Sequence, residues 1–241
     1  MPLCCSFLIR QPNYRNFFPN FTNPVPFCIF ILMPNSDLWK KETHPTWYRD
    51  VTPMKYLILG SFPPHESKRH YPFYYPNSMN RFWKILSDIS GKPLQYTKKS
   101  VLNTKEAQNN AVEERFQIMN HLNAGVQNVG KIIKRKGSSS LDTDIKIEEF
   151  QDIISIIKSH NELKRILLSG YSALSSTARI FLNYLDTENI PYKIGKIAPE
   201  EKFFIDVCDR KIECVILNST STASKIEYGE LLKQFKKYLQ D

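Results

Sequence analysis

Residues 57–86 read LILGSFPPHESKRHYPFYYPNSMNRFWKIL, with four prolines and seven Phe, Tyr or Trp residues between Gly60 and Trp83. Proline fixes φ and removes a backbone donor, so the stretch forms neither regular helix nor regular strand. A hydrophobic core has use for the rings but not for the prolines. A pocket for a flat ligand has use for both, because a stiff aromatic wall loses little entropy on closing. Three further groups carry polar chemistry. Asn80 or Ser78 stands where a helix cap is wanted, before the apolar face that begins at Phe82. Ser219, Thr220, Ser221 and Thr222 crowd one turn with Lys225 close by, which is either a ligand-binding turn or a solvated one. Lys131, Lys134, Arg135 and Lys136 precede the run GSSSLD and suit either contact with a polyanion or an ordinary basic surface strand.

Several familiar catalytic arrangements are absent from the sequence. It holds no GxxxxGK[ST] loop, no GxGxxG after the first strand, no HExxH pair and no GxSxG elbow. His44, His65 and His70 are scattered near the first strand and read as loop or surface residues. The carboxylates lie mainly on predicted helix surfaces, so paired acids for proton transfer are hard to find. The five cysteines form no CxxC pair, which removes the spacing of zinc and iron–sulfur sites and favours a reducing intracellular compartment.

The elements that must position these residues alternate. MKYLILGSF is a short apolar run stopped by Gly60 and the prolines, as a buried parallel strand is. In NRFWKILSDISG, Phe82, Ile85, Leu86 and Ile89 fall on one helical face, and Gly91 and Pro93 end the helix. Residues 105–122 read as an exposed helix. GVQNVGKIIKRKGSSSLDTDIK starts strand-like and becomes a basic, Ser-rich loop. EEFQDIISIIKSH reads as an amphipathic helix, LKRILLSG as a strand and SALSSTARIFLNYL as a helix. KFFIDV and ECVILN are two more strands, and the last helix runs through YGELLKQFKKYLQ. Such alternation predicts a parallel sheet covered by helices on both faces, with ligands beyond the carboxyl ends of the strands. The turns LGSFPP, LLSGYS and LNSTSTAS are therefore expected to converge at one edge.

With 241 residues, one large domain is expected rather than two. A net charge of +9 and a pI near 9.2 favour polyanionic partners, nucleic acid first, although solubility alone would also use them. Residues 1–33 differ from the rest: six Phe, five Pro, and only Arg10 and Arg15 charged. Their longest apolar run, FCIFILM, is far shorter than the ~20 residues of a membrane span, and no signal-peptide pattern is present. The expectation is a poorly ordered extension, or a true start at Met33.

Taken in order, LILGSFPP, FYYPNSMNRFWKIL, GSSSLDTDIK, RILLSGYSALSS and VILNSTSTASK resemble the motifs of the uracil-DNA glycosylase superfamily. The nearest branches are the hypoxanthine-DNA glycosylases and the mismatch-specific (G:T/U) glycosylases. The resemblance runs from about residue 44 to the C terminus. It implies an α/β fold: a three-layer α/β/α sandwich with a mainly parallel central sheet, forming a single domain over residues 34–241.

It also implies roles. Tyr75, five residues before Asn80, takes the place of the ring that stacks on an extruded base, and Phe62 that of the opposite wall. Gly60 and Ser61 would line the base pocket, with Ser219 at the base edge. Thr220, Ser221, Thr222 and Lys225 would meet DNA, and Lys134, Arg135 and Lys136 the backbone phosphates. Most branches carry Asp or Asn at the third position of the first motif. Phe62 stands there in this sequence, and the catalytic part passes to Asn80, which would orient water for attack on C1′. On that reading Asn80→Ala abolishes base release at a near-normal melting temperature. Asn218 and Thr222 stand where the family's stiffening prolines are expected.

The function implied is that of a monofunctional DNA glycosylase releasing a deaminated base, uracil or hypoxanthine, from DNA, acting as a monomer without metal, organic cofactor or membrane. A bacterial cytoplasm or a nucleus fits equally. The alternatives are a catalytically inactive DNA-binding module of the same fold, and an unrelated α/β hydrolase or nucleotide-binding protein.

Overall fold

A computed structural model describes residues 38–240. The expectations for residues 1–33 fall outside that range. The first strand, β1 (Trp39–Thr43), is followed by β2 (Tyr56–Gly60), α1 (Phe82–Ser90), α2 (Lys105–Leu122), β3 (Ala124–Asn128), β4 (Gly130–Lys136) and β5 (Ile145–Phe150). Then come α3 (Ile153–Ser159), β6 (Arg165–Ser169), α4 (Thr177–Thr187), β7 (Lys202–Val207), β8 (Arg210–Leu217) and α5 (Tyr228–Leu239).

Five strands form the main sheet in the order β3-β2-β6-β8-β7, parallel except for β7, which pairs antiparallel with β8. Every residue of β2, β3 and β6 is buried, as expected when helices cover both faces. The amphipathic α1 puts Phe82, Trp83, Ile85, Leu86 and Ile89 inside and packs beside α2 and α5. Gly91, at φ 67°, ends it, a left-handed conformation that glycine adopts without strain. On α4, the Tyr184 hydroxyl oxygen accepts a hydrogen bond from the Ile154 amide of α3 at 3.0 Å, joining those two helices. Among the described residues no helix is long and apolar enough to cross a membrane.

In the middle of the chain one alternative is decided and one expectation fails. Residues 130–136, left open between a basic loop and a basic surface strand, are strand β4, whereas Glu148–Phe150, read as a helix start, belong to β5. With β1 these strands form a separate antiparallel sheet in the order β1-β4-β5. From Ile133 on, Ile133 and Arg135 point inward while Lys134 and Lys136 point out, the two-residue period of a half-buried strand, and the register shifts around Ile132 leave Lys131 exposed as well. Outward lysines meet outward acids: Lys131 lies 3.2 Å from Glu149 and Lys134 2.5 Å from Glu148. The inner face holds a small cluster of Phe62, Ile133 and Ile145, with Ile147 packed against it.

Candidate functional site

The turns after β2, β6 and β8 meet around one cavity of about 970 Å³ beyond the carboxyl ends of these strands. Residues 60–64, 139–143, 169–173 and 218–226 line it, together with Tyr75, Asn80 and Asn128. Ligand sites of open α/β sheets lie at this edge, where helix N-termini and loop groups converge on free strand ends.

Tyr75 comes from the proline-rich loop and adopts φ 47°, unusual for a residue with a side chain. Its ring stacks on Phe82 with centroids 3.8 Å apart and planes 17° from parallel. One face is thus covered by the first residue of α1. The phenol is buried without a well-formed hydrogen bond. Burial pushes its pKa well up, the Ser169 hydroxyl draws it partly back, and the Asp142 carboxylate adds to the rise. Gly60 lies beneath: a Cβ there would fall 2.6 Å from Asn128 Nδ2 and 3.1 Å from the Tyr75 hydroxyl, so no side chain fits.

Asn128, at the end of β3, is held from behind by His44. His44 Nδ1 lies 2.5 Å from the Pro45 carbonyl, an acceptor only, so that nitrogen carries a proton. Nε2 lies 2.9 Å from Asn128 Oδ1, a contact that suits the doubly protonated ring. Burial pushes the His44 pKa below its ordinary value, and the neutral ring accepts from an amide turned the other way, with its carbonyl over Gly60.

Asn80 joins two parts of the cavity wall. Its Oδ1 accepts from the Phe82 backbone N–H and from the Thr220 hydroxyl, each at 2.9 Å. The oxygen assignment follows from the Phe82 donor, and both its lone pairs are occupied. Nδ2 carries no hydrogen bond among the described residues. Asn80→Ala removes a helix-entry bond and strands the Thr220 hydroxyl, which is 1% exposed. It is expected to cost about 2 kcal/mol of stability, visible in denaturant unfolding, rather than to leave the melting temperature near normal.

The turn at 218–226, without its stiffening prolines, is held by Arg81. The guanidinium donates to the carbonyls of Ile226 at 2.6 Å, Ser221 at 2.8 Å, Ser224 at 3.2 Å and Thr220 at 3.4 Å. The Arg81 amide donates to the same Thr220 carbonyl at 3.2 Å. Thr220 is thereby an internal strut with its hydroxyl on Asn80, not a group open to DNA. Ser219, Ser221, Thr222 and Lys225 line the cavity, Thr222 and Lys225 exposed.

Phe62, expected as a wall opposite Tyr75, lies on the cavity lining at 8% exposure, and its ring also packs with Ile133, Ile145 and Ile147 under the antiparallel sheet. One further expectation is corrected. Arg135, expected on the phosphate backbone, is 1% exposed. It donates to Glu42 at 2.8 Å and to the carbonyls of Ser139 and Pro63, both at 2.7 Å. The period of β4 turns it inward, while Lys134 and Lys136 stay exposed and outside the cavity lining.

The sequence reading overlooked Arg81, Asn128 and Asp142. Asn128 ends a fully buried strand and had a signal there. Asp142 had none: the loop from β4 to β5 brings it to Ser61, whose hydroxyl donates to Asp142 Oδ1 at 2.8 Å. Burial pushes this carboxyl above its ordinary range, against the Ser61 bond and the Arg135 charge. Among the described residues no cluster of His, Cys, Asp or Glu could hold a metal ion.

No protein-family model matches the chain, and no curated protein matches it. Among solved structures, the solution NMR structure of a provisionally assigned uracil DNA glycosylase from Methanosarcina acetivorans matches 78% of this chain and 90% of that one. The TM-score is 0.50 and the sequence identity 22%. The likeness is one of fold. It agrees with a mainly parallel five-stranded sheet flanked by helices.

Proposed function

We propose that this chain is a monofunctional DNA glycosylase that hydrolyses the N-glycosidic bond of a deaminated base, uracil or hypoxanthine, turned out of DNA. The observation that carries the reading is Tyr75, a flat ring backed by Phe82 on the wall of a cavity that three strand-end turns enclose. Extruding a base costs a few kcal/mol of stacking and pairing. Stacking on the free face of Tyr75 recovers about 1–3 kcal/mol of it. Polar groups around that ring, Asn80, Asn128, Ser219 and the Ser61–Asp142 pair, can hydrogen-bond a base edge or a water. The net positive charge and the exposed Lys225 suit the phosphates on either side. The fold likeness to the Methanosarcina acetivorans protein supports the same class of activity.

The test is incubation of the full chain with duplexes holding uracil, hypoxanthine, xanthine or a mismatched thymine, followed by alkali. Cleavage at the altered base only after alkali supports a monofunctional glycosylase. Binding without cleavage supports the inactive DNA-binding module, a reading favoured by the occupied Asn80 Oδ1 and the buried Phe62. Neither binding nor cleavage removes both. In the first case, Tyr75→Ala is expected to lower kcat/KM about 5- to 150-fold, the stacking energy expressed as a rate. Single-turnover assays on matched duplexes check it.

A further inference from the structure

Asp142 stands on the cavity wall with one carboxyl oxygen on the Ser61 hydroxyl at 2.8 Å and the other without a hydrogen bond among the described residues. Ser61 lies between Gly60 and Phe62, inside the turn that ends the first strand of the main sheet. The charged and titratable groups facing Asp142 are the Arg135 guanidinium on β4 and the Tyr75 phenol from the aromatic loop. Burial raises the carboxyl's pKa, and Ser61 and Arg135 draw it only partly back. An ionisable group kept partly desolvated in a cleft, with one face open, costs stability that a neutral residue would not, and such groups gather where chemistry is done.

We propose that Asp142 is the general base of the base-release reaction, bringing to the turn at Ser61 the carboxylate that Phe62 does not provide. The inference rests on the glycosylase reading above. Water oxygen forms a bond to C1′ as the C1′–N bond breaks, and the bonding pair leaves with the base. The water proton passes to the Asp142 carboxylate and then to solvent, and the departing base anion takes a proton from solvent. Asn80 cannot take that proton, because its amide oxygen is weakly basic and already accepts two hydrogen bonds.

The base must be ionised, so release by the wild-type chain is expected to be slow at acid pH. It should rise through one ionisation above the ordinary carboxylate range to a plateau. Asp142→Asn is expected to lower the single-turnover rate 100-fold or more and to remove that acid limb. Binding to a duplex with an abasic-site analogue should stay within about threefold of wild type. A group whose folded pKa is raised stabilises the protein below its unfolded pKa and loses that contribution as pH rises. The Asn variant should therefore melt no lower than wild type at neutral pH. Ser61→Ala removes a bond that lowers the Asp142 pKa, so its acid limb should move to higher pH. If Asp142→Asn releases the base within threefold of wild type, or leaves the acid limb in place, the inference is overturned and the glycosylase reading stands. If the wild-type chain releases no base from any duplex, both fall.

Discussion

Arg81→Ala is expected to cut base release about 100-fold and to lower stability by about 2–4 kcal/mol, the first exceeding what the second can explain. The guanidinium is bound to four carbonyls of the 218–226 turn, which carries Ser219 and Lys225 on the cavity wall. Hydrogen bonds to a charged donor contribute about 1.5–3 kcal/mol each when isolated, but not additively, and the carbonyls of an opened turn regain water. The stability loss is therefore bounded while the positional loss is not. A displacement of about 1 Å in a substrate-positioning segment costs on the order of 100-fold in rate. Arg81→Lys supplies one compact ammonium for a planar fork and should recover stability better than activity. Urea unfolding and single-turnover release, measured on both variants, check the pair of effects. Equal, small losses of rate in both would show that the turn needs no such staple.

Arg135→Ala is expected to destabilise the fold by about 3–5 kcal/mol, the largest stability effect among the site's residues, and to leave the salt dependence of DNA binding unchanged in any protein that remains folded. Removing a buried partner strands Glu42, whose side chain is 19% exposed, and the Ser139 and Pro63 carbonyls. Those carbonyls belong to the two segments that meet at the Ser61–Asp142 bond, so local order at the cavity goes with the arginine. Lys136→Ala, by contrast, touches an exposed side chain. It should leave the melting temperature within a degree or so and lower the slope of log K against log salt by about 1 if it meets a phosphate. Thermal melts and binding titrations at several salt concentrations separate the two residues. A normal melting temperature for Arg135→Ala with a reduced salt slope would restore the surface role that the sequence suggests.

How much of this was legible in the chain follows from the range of the interactions concerned. Apolar runs and helical faces are set by near neighbours. The strands at 56–60, 165–169 and 202–207, the helices beginning at Phe82, Lys105 and Tyr228, and the meeting of three polar turns at one sheet edge all follow from periodicity and punctuation. The basic segment at 130–136 was harder. Its alternation is short, and lysines that satisfy an outward strand face are the same lysines that would make a loop. Whether Arg135 points out or in depends on strand register, and a shift of one residue exchanges the faces.

The sequence by itself determined the fold class, the aromatic loop beside the first strand and the polar character of the three turns, because each is written in the local order of residue types. The tertiary structure alone decided which groups meet there. Asn80 finds Thr220, Arg81 finds the carbonyls of the last turn, Phe62 finds a core under the second sheet, and Ser61 finds Asp142. The Asn80–Thr220 bond spans 140 residues and the Ser61–Asp142 bond 81, separations at which residue order carries no distance. Such contacts are selected by the packing of whole sheets and by the cost of leaving a buried polar group without a partner, and neither is visible until the chain has closed on itself.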